Sequence, residues 1–416
     1  MATRGNSHES ADEQKRAGTS RGALHGVRVL DLSRVLAGPL CTQMLAMHGA
    51  DVIKVEALTG DETRLLGPPF EAGGTAAYFA AVNRGKRDIA LDLSKPEGRE
   101  ILLQLITNAD VLVENFLPGA MERWGLSYET LSRRFPRLIY CQITGFGIDG
   151  PLGGLPGYDA VVQAISGLMS VNGSAESGAL RVGVPVVDHL TGYTSLIGIL
   201  LALYARRVTS RGQRVDASLF DAALSLLVPH AANWHASGQT PGLLGSAHPN
   251  IAPYDKFAAA DGEVFLGILT DAQFRRLCAF IDAAELAEDV RFRTNAARLA
   301  NRDALRAVLE AALSNRPRHA LCEGLMKAGV PAGAVCTVPE ALTHPHAQHR
   351  GMVVEHEGRF GLGASVKLSE TPPRTDLGVS GLSSDANEIL EEAGFDATRI
   401  EALYAGGIVG RPKAAP

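Results

Sequence analysis

Residues 27–56 read VRVLDLSRVLAGPLCTQMLAMHGADVIKVE, and this stretch decides the fold. It begins and ends with short apolar runs typical of β-strands, Val27–Leu30 and Val52–Val55. Between them, Pro39 predicts the start of a helix, where the missing N–H of proline costs nothing, and Gly49 predicts its end. A strand, a helix and a strand in succession indicate two parallel strands joined by a crossover helix.

The alternation of strands and helices continues as far as Thr144. Val111–Val113 and Leu138–Tyr140 have the apolar composition of buried strands. Residues 94–97, Ser-Lys-Pro-Glu, have the spacing of a capping box at the start of another helix. Strands separated by helices predict an α/β fold, with a doubly wound, mostly parallel, Rossmann-like sheet and helices on both faces.

The pattern of apolar residues changes after this region, which predicts more than one domain. Residues 1–21 are polar and mixed in charge, so we expect a disordered tail there. The predicted large domain covers residues 22–225, and residues 226–244 form the predicted linker. Strand-like and helical runs in residues 245–346 predict a second, smaller α/β domain, and residues 347–416 are expected to return to the large domain.

The composition is that of a soluble globular protein of 416 residues, with 46% apolar residues and a net charge of -5. This charge gives no indication of nucleic acid or a membrane as a partner. The longest apolar run, Leu196–Tyr204, is shorter than the ~20 residues that a membrane-spanning helix needs. Five scattered cysteines favour a reducing cytoplasm over a disulfide framework or a metal site, and each is expected to be a small buried hydrophobe. They are Cys41, Cys141, Cys278, Cys322 and Cys336.

A glycine-rich segment after the predicted strand at residues 138–140 imitates a nucleotide-binding motif. Gly145–Gly150 matches the dinucleotide pattern G-x-G-x-x-G letter for letter. That motif requires a helix to follow at once, but Pro151, Pro156 and the glycines between them cannot begin one there. The sequence therefore argues against NAD or FAD. The glycines fit either a loop in which the backbone approaches a ligand or an ordinary tight turn.

Asp188 is the acidic residue whose position points most clearly to chemistry. It follows the apolar run Val182–Val187 and precedes a predicted helix. The local pattern favours a helix N-cap, in which the carboxylate accepts backbone N–H bonds. The same pattern also fits a carboxylate presented for reaction at a strand-to-helix turn. The two roles are compatible, since a helix N-terminus stabilises an anion.

Seven short motifs lie in a fixed order between residues 29 and 216, and each is weak by itself. They are Val29–Pro39, Gly49–Glu56, Gly60–Arg64, Asn83–Arg87, Val113–Gly119, Gly157–Ala160 and Arg211–Asp216. Together they resemble the class III coenzyme A transferases, the family of formyl-CoA transferase and the carnitine CoA-transferases. The resemblance extends over about residues 26–409.

The resemblance implies that Asp188 is the catalytic residue. Its carboxylate attacks the thioester of an acyl-CoA, and the mixed anhydride that forms is converted by CoA thiolate into an aspartyl-CoA thioester. A carboxylate with an ordinary pKa near 3.9 stays mostly ionised at pH 7 even if that pKa rises by two, so no general base is expected. The oxyanion would be held by backbone N–H groups.

The resemblance also implies that residues 22–225 bind CoA, which is a substrate here and not a permanently bound cofactor. Arg123 is the implied phosphate ligand, although its position alone favours a solvated helix face. Arg64, Lys86 and Arg87 are further basic candidates, and Ala57 stands where formyl-CoA transferase has a CoA-binding arginine. An interlocked homodimer is implied as well. The implied CoA contacts are Leu36, Ala37, Leu91, Asp92, Leu93, Ser94, Asn115, Phe116, Leu117, Arg123, Thr144, Gly145, Phe146 and Gly147.

The segments 230–234 and 245–254 look like those of the members that use succinyl-CoA and a dicarboxylate such as glutarate, itaconate or mesaconate. Arg181, Tyr78 and His248 are therefore candidate substrate contacts, although Arg181 fits an exposed loop equally well. The glycine run of formyl-CoA transferases is missing, which argues against formyl or oxalyl substrates.

Two alternatives remain, an acyl-CoA racemase of the same family and a non-catalytic CoA-binding protein. Tyr158 stands where the racemases have a catalytic histidine. A tyrosine with a pKa near 10 is a poor base at pH 7, which argues against the racemase.

Overall fold

The computed structural model describes residues 22–71 and 73–412, so the predicted disordered tail lies outside the described residues. The strands of this part of the chain are β1 (Arg28–Asp31), β2 (Asp51–Glu56), β3 (Lys86–Ala90), β4 (Val111–Glu114), β5 (Ile139–Thr144), β6 (Gly173–Ser174), β7 (Gly178–Ala179), β8 (Arg214–Ser218), β9 (Tyr254–Ala259), β10 (Gly262–Gly267), β11 (Ala332–Ala334), β12 (Val353–His356) and β13 (Arg359–Leu362).

The helices of the described residues follow in chain order. They are α1 (Ala37–Met47), α2 (Ala77–Val82), α3 (Pro96–Ile106), α4 (Ala120–Arg123), α5 (Tyr128–Arg134), α6 (Asp159–Ile165), α7 (Val186–Thr209), α8 (Leu219–Ser225), α9 (His230–Ser237), α10 (Asp271–Phe280), α11 (Asn295–Ala300), α12 (Arg302–Leu313), α13 (Arg318–Lys327), α14 (Val338–Thr343), α15 (Pro345–His349), α16 (Ala386–Glu392) and α17 (Ala397–Ala405). Short 3-10 turns lie at Glu62–Leu65, Leu168–Val171 and Ala284–Ala287.

The chain folds into two compact units, and the first takes in the described residues up to Ser166, Gly183–Leu226 and those from His346 onward. Its sheet has the strand order β3-β2-β1-β4-β5-β8, and every neighbouring pair is parallel. The prediction of a Rossmann-like parallel sheet is thereby confirmed. The direction of winding reverses between β1 and β4, and the carboxyl ends of the strands form a crevice at such a point.

Helices pack against both faces of this sheet. Leu30 and Leu32 of the β1 region join a core that includes Leu102 of α3, Ile389 of α16 and Leu403 of α17. Side chains alternate between the two faces of a strand, and Asp31 therefore points the other way. There its carboxylate accepts a hydrogen bond from the Thr42 hydroxyl of α1 at 2.6 Å.

The C-terminal part of the described chain closes against the end of β3. Leu91 and Val409 form an antiparallel bridge. The N–H of Asp92 donates to Ile408 O at 2.9 Å, and that of Gly410 donates to Ala90 O at 2.9 Å. Residues 408–410 therefore act as a short extra strand beside the turn that follows β3.

Helix α7 packs against α1, β5 and β8 and buries Val187, Ile199 and Ala202. It is the one helix among the described residues whose length and composition would suit a membrane span. Its opposite face is apolar and exposed, with Leu201 64% and Tyr204 70% accessible. Helix α7 thus has one buried face and one exposed apolar face.

The second unit comprises Gly167–Val182 and Leu227–Pro345. Its antiparallel sheet has the order β11-β10-β9 and shares one apolar core with the helices α10, α12 and α13. The prediction of a smaller α/β body is confirmed. Arg298 is fully buried there, and its guanidinium donates to Asp271 Oδ1 at 2.8 Å and to Phe292 O at 2.9 Å.

Three local predictions were wrong. Ser94 does not cap α3, because its hydroxyl donates to Asp92 and Lys95 occupies the N-cap without a side-chain bond. Val182–Val187 is not a strand, and α7 begins at Val186, so Asp188 lies inside the first turn instead of at the N-cap. Cys336 is exposed, whereas the other four cysteines are buried as expected.

Candidate active site

Two adjoining cavities lie in the first unit at the carboxyl ends of its parallel strands. The first, of about 250 Å³, is lined by the residues after β1 and β4, by the end of β5 and by Asp188. The second, of about 340 Å³, is lined by the residues after β1, β2 and β3. Arg34 and Phe116 line both cavities and therefore mark their junction. The pair lies where the winding of the sheet reverses, as ligand sites in this fold do.

Asp188 is the acidic side chain that α7 contributes to the first cavity. Burial, with a smaller contribution from the charge of Asp159, raises the pKa of Asp188 from 3.8 to about 7. The expectation that this carboxyl is mostly ionised at pH 7 was therefore wrong, because the ionised and neutral forms are about equal there. An elevated pKa also makes the carboxylate a stronger nucleophile.

Asp159 takes the capping role that was predicted for Asp188. The N-cap of α7 is Pro185, which has no side-chain hydrogen bond to offer. Instead, Oδ1 of Asp159 accepts the N–H of Val187 at 2.8 Å and that of Asp188 at 3.1 Å. Its Oδ2 accepts from Gln163 Nε2 at 2.6 Å. Asp159 belongs to a motif that the sequence showed, but its role in the site was not predicted.

Two glycines allow the elements of the site to approach each other. A Cβ at Gly192 would lie 2.8 Å from Ala37 O, so glycine lets α7 pack directly on the start of α1. A Cβ at Gly145 would lie 2.8 Å from the Cα of Gly157. The absence of side chains at both positions brings Asp188 close to the residues after β1 and brings the start of α6 close to β5.

The loop from Ser33 to Ala37 forms one wall of the first cavity and is held in a strained conformation. Val35 has φ 69°, which is costly for a β-branched residue. The Asn115 side chain accepts the N–H of Arg34 and donates to its carbonyl, both at 2.8 Å. The guanidinium of Arg34 lies over the ring of Phe116, 5.3 Å from its centroid.

Two buried lysines donate hydrogen bonds to the backbone of this loop and of the helix that follows it. Lys54 donates to Ser33 O at 2.9 Å and to Asp61 at 3.2 Å, and Lys86 donates to Asp31 and to Pro39 O at 2.9 Å each. Burial opposes ionisation of Asp31, but Lys86 and Lys54 outweigh it and hold the pKa of this carboxyl at about 2. Burial lowers the pKa of Lys86 to about 8.

The structure brings most of the predicted CoA contacts to these two cavities. Arg123, Phe146 and Gly147 line neither. The predicted contacts that line the first cavity are Leu36, Ala37, Asn115, Phe116, Leu117, Thr144 and Gly145, and those that line the second are Leu91, Asp92, Leu93, Ser94 and again Phe116.

The further basic candidates are already paired. Arg64 bonds to Glu56 and Asp88, Lys86 to Asp31, and Arg87 to Asp51 and Glu392. Arg34, which the sequence did not single out, is the exposed cation that lines both cavities. Within residues 22–71 and 73–412, Arg34 forms no ion pair with a carboxylate.

The candidate substrate contacts lie in different units. Tyr78 is in the first, and burial together with the charges of Asp188 and Asp159 raises its pKa to about 12. Arg181 is in the second unit, where its guanidinium donates to Val182 O at 3.1 Å. His248 is also there, and its Nδ1 accepts the N–H of Asn250 at 3.0 Å. Burial and the nearby His230 and Arg302 lower the pKa of His248.

Comparison with known proteins identifies the family. The model of the family described as CoA-transferase family III matches residues 24–379. The succinate–glutarate CoA-transferase of Agrobacterium fabrum is 40% identical over 380 residues, which are 89% of this chain and 95% of that protein. The acetyl-CoA:oxalate CoA-transferase of Acetobacter aceti is 42% identical over 351 residues, covering 84% of this chain and 90% of that protein.

A solved structure gives the same result. The crystal structure of a CAIB/BAIF family protein from Brucella suis matches with a TM-score of 0.82 and 42% identity, over 90% of this chain and 100% of that chain. The resemblance predicted from the sequence is confirmed.

Proposed function

This chain belongs to CoA-transferase family III and is an enzyme that transfers CoA, and we propose that it moves CoA from succinyl-CoA to another small dicarboxylic acid. The observation that carries the proposal is the position of Asp188 in a cavity lined by half of the predicted CoA contacts. Both named relatives pair CoA transfer with a dicarboxylate, glutarate in one and oxalate in the other. Since the oxalate enzyme is 42% identical, the missing glycine run does not exclude oxalate as the acceptor.

The proposed reaction has two symmetrical halves. The Asp188 carboxylate attacks the thioester carbon of succinyl-CoA and expels CoA thiolate, which leaves a mixed anhydride. The thiolate then attacks the Asp188 acyl carbon, so that succinate departs and an aspartyl-CoA thioester remains. The acceptor carboxylate attacks this thioester and expels the thiolate, which leaves a second mixed anhydride. The thiolate then attacks the acceptor acyl carbon of that anhydride, so that the acceptor leaves as its CoA thioester. The Asp188 carboxylate is regenerated, and no water is consumed.

The first turn of α1 offers the groups that would stabilise the oxyanion. Leu36, the N-cap of this helix, accepts no hydrogen bond with its side chain. The first N–H groups of α1 are therefore not capped by a side chain. Leu36 and Ala37 line the same cavity as Asp188. Backbone N–H groups at a helix N-terminus favour developing negative charge.

The two cavities suit the two ends of CoA. We place the thioester in the first cavity beside Asp188 and the nucleotide in the second, between the ends of β2 and β3. Arg34 at the junction would then meet the phosphates, for which guanidinium geometry is well suited. This assignment replaces Arg123, which lines neither cavity, as the main phosphate ligand.

We further propose that the protein is a cytoplasmic homodimer in which a second copy covers the exposed face of α7. Ile197, Leu201, Tyr204 and Val208 follow each other on this face at helical spacing, and all are more than half exposed. Analytical ultracentrifugation should find a dimer, and Leu201→Glu should shift it to monomer. A wild-type monomer at micromolar concentration would refute the proposed assembly.

The racemase alternative requires a base in the same cavity to move the α-proton of the substrate. Tyr158 lines it with Asp188, but tyrosine is a poor base at neutral pH. Incubation of a 2-methylacyl-CoA with the enzyme in D2O should give no deuterium at the α-carbon. Deuterium uptake in the absence of an acceptor acid would favour the racemase over the transferase.

The central test is direct detection of the covalent intermediate. The enzyme is mixed with succinyl-CoA, trapped with hydroxylamine or borohydride, digested and analysed by mass spectrometry. We expect a modified peptide that contains Asp188 and is absent from Asp188→Ala. Glutarate, itaconate, mesaconate and oxalate are then screened as acceptors. An unmodified wild-type enzyme with every acyl-CoA tried would sink the proposed mechanism.

A further inference from the structure

A buried carboxylate touches the backbone of the proposed nucleophile, although the reaction just described does not use it. Asp159 is 8% exposed and lies at the first position of α6, whereas Asp188 lies in the first turn of α7. One oxygen of Asp159 accepts two N–H groups of that turn, including the N–H of Asp188 itself at 3.1 Å. An ordinary cap would stand at position 185, where a proline leaves the role vacant.

The charge of Asp159 has no cationic partner in the described part of the chain. Neither lysine, arginine nor histidine forms an ion pair with it there. Its negative charge is balanced only by neutral donors, the two backbone N–H groups and the amide of Gln163 at 2.6 Å. In a partly buried setting such a charge acts strongly on an acidic neighbour.

We infer that Asp159 is a positioning residue that fixes the backbone of Asp188 and, by its charge, favours the uncharged acylated states of Asp188 over the free carboxylate. This inference rests on the proposed function, in which Asp188 becomes first an anhydride and then a thioester. The Asp188 carboxylate loses its charge in both, so the repulsion between the two side chains is present before acylation and absent after it.

Other charged and titratable groups lie around Asp188. Tyr78 of α2 responds to the charges of both aspartates, and a neutral phenol does not offset their repulsion. Glu62 of the 3-10 turn and Tyr158 line the same cavity. Arg34 is the cation that lines this cavity, where a positive charge would oppose the effect of Asp159. Asp159 accepts a hydrogen bond from the N–H of Asp188 itself, and its charge raises the pKa of Asp188.

The inference is tested with Asp159→Asn, which keeps the size and one oxygen acceptor but removes the charge. Single-turnover acylation by succinyl-CoA is measured between pH 5 and pH 9 by trapping and mass spectrometry. We expect the acidic limb of the profile to move to lower pH by about one unit in the variant. At pH 8 to 9 we expect the equilibrium ratio of thioester to free enzyme to fall about tenfold, because one pKa unit corresponds to that factor.

Gln163→Met is the matched control, since it removes a hydrogen bond from Asp159 and leaves the charge in place. A purely structural role for Asp159 predicts equal losses of rate in both variants and an unmoved limb in each. That outcome, with wild-type enzyme acylated normally, overturns the inference and leaves the proposed function intact. A wild-type enzyme that forms no adduct overturns both. If Asp159→Asn unfolds below the assay temperature, the same measurements are made on Asp159→Ser, whose hydroxyl is an uncharged acceptor.

Discussion

The pH dependence of acylation in the wild-type enzyme follows from the burial of Asp188. In the proposed reaction only the carboxylate attacks the thioester, and the pKa of Asp188 is raised to about 7. The ionised fraction is then about nine tenths at pH 8, one half at pH 7 and one tenth at pH 6. The single-turnover rate should therefore fall about fivefold from pH 7 to pH 6, and about tenfold more from pH 6 to pH 5.

Rapid mixing with saturating succinyl-CoA, followed by acid quench and mass spectrometry, measures this rate directly. Phosphate groups of CoA also titrate near pH 6, so CoA affinity must be measured at each pH as a control. An ionisation of the substrate would be unmoved by Asp159→Asn, which distinguishes it from the ionisation of Asp188. A rate that stays level down to pH 5 would show that Asp188 ionises near its ordinary pKa and would refute this reasoning.

Three further predictions concern binding, packing and stability. Arg34→Ala should raise KM for succinyl-CoA about 10- to 100-fold and lower kcat much less, because a charge-assisted bond to phosphate contributes about 1.5–3 kcal/mol. Arg34→Lys should recover part of the affinity, and an unchanged KM would contradict the phosphate assignment. Gly192→Ala should lower kcat about tenfold or more without unfolding the protein, since its Cβ would collide with Ala37 O and push α7 away from α1. A fully active variant would show that catalysis does not depend on this close packing. Asp188→Asn should raise the melting temperature more at pH 8 than at pH 5. The folded-state pKa of Asp188 lies above its unfolded value, so its carboxylate destabilises the fold increasingly from about pH 4 to pH 7. An equal gain in melting temperature at both pH values would argue against the raised pKa.

The parallel sheet could be predicted because its signals are local. Residues 27–56 contain a strand, a helix and a strand within one short stretch, and the structure has β1, α1 and β2 there. Asp188 was singled out as the candidate nucleophile through the family resemblance, and its predicted N-cap position was wrong. The N-cap and the first turn of a helix are only a few residues apart, so the local sequence does not separate the two positions.

The role of Asp159 could not be read from the sequence, because its acceptors lie 28 and 29 residues further along the chain. A proline immediately before a long helix was the available hint, since it cannot provide a side-chain cap. The pairing of the basic candidates was also invisible in the sequence, for a related reason. Arg64 and Arg34 look alike as letters, but one is paired with buried carboxylates and the other faces both cavities.

The strand-like contact of residues 408–410 with the turn after β3 has a consequence for how the enzyme is made. Leu91 and Asp92, which this contact holds, form part of the second cavity. On the ribosome, the parallel sheet can assemble long before Val409 has been synthesised, at about 5–20 residues per second. The wall of this cavity is therefore completed only when nearly all of the described chain has emerged. Affinity tags joined directly behind residue 412 would sit beside this wall, whereas tags at the other end of the chain would leave its closing strand undisturbed.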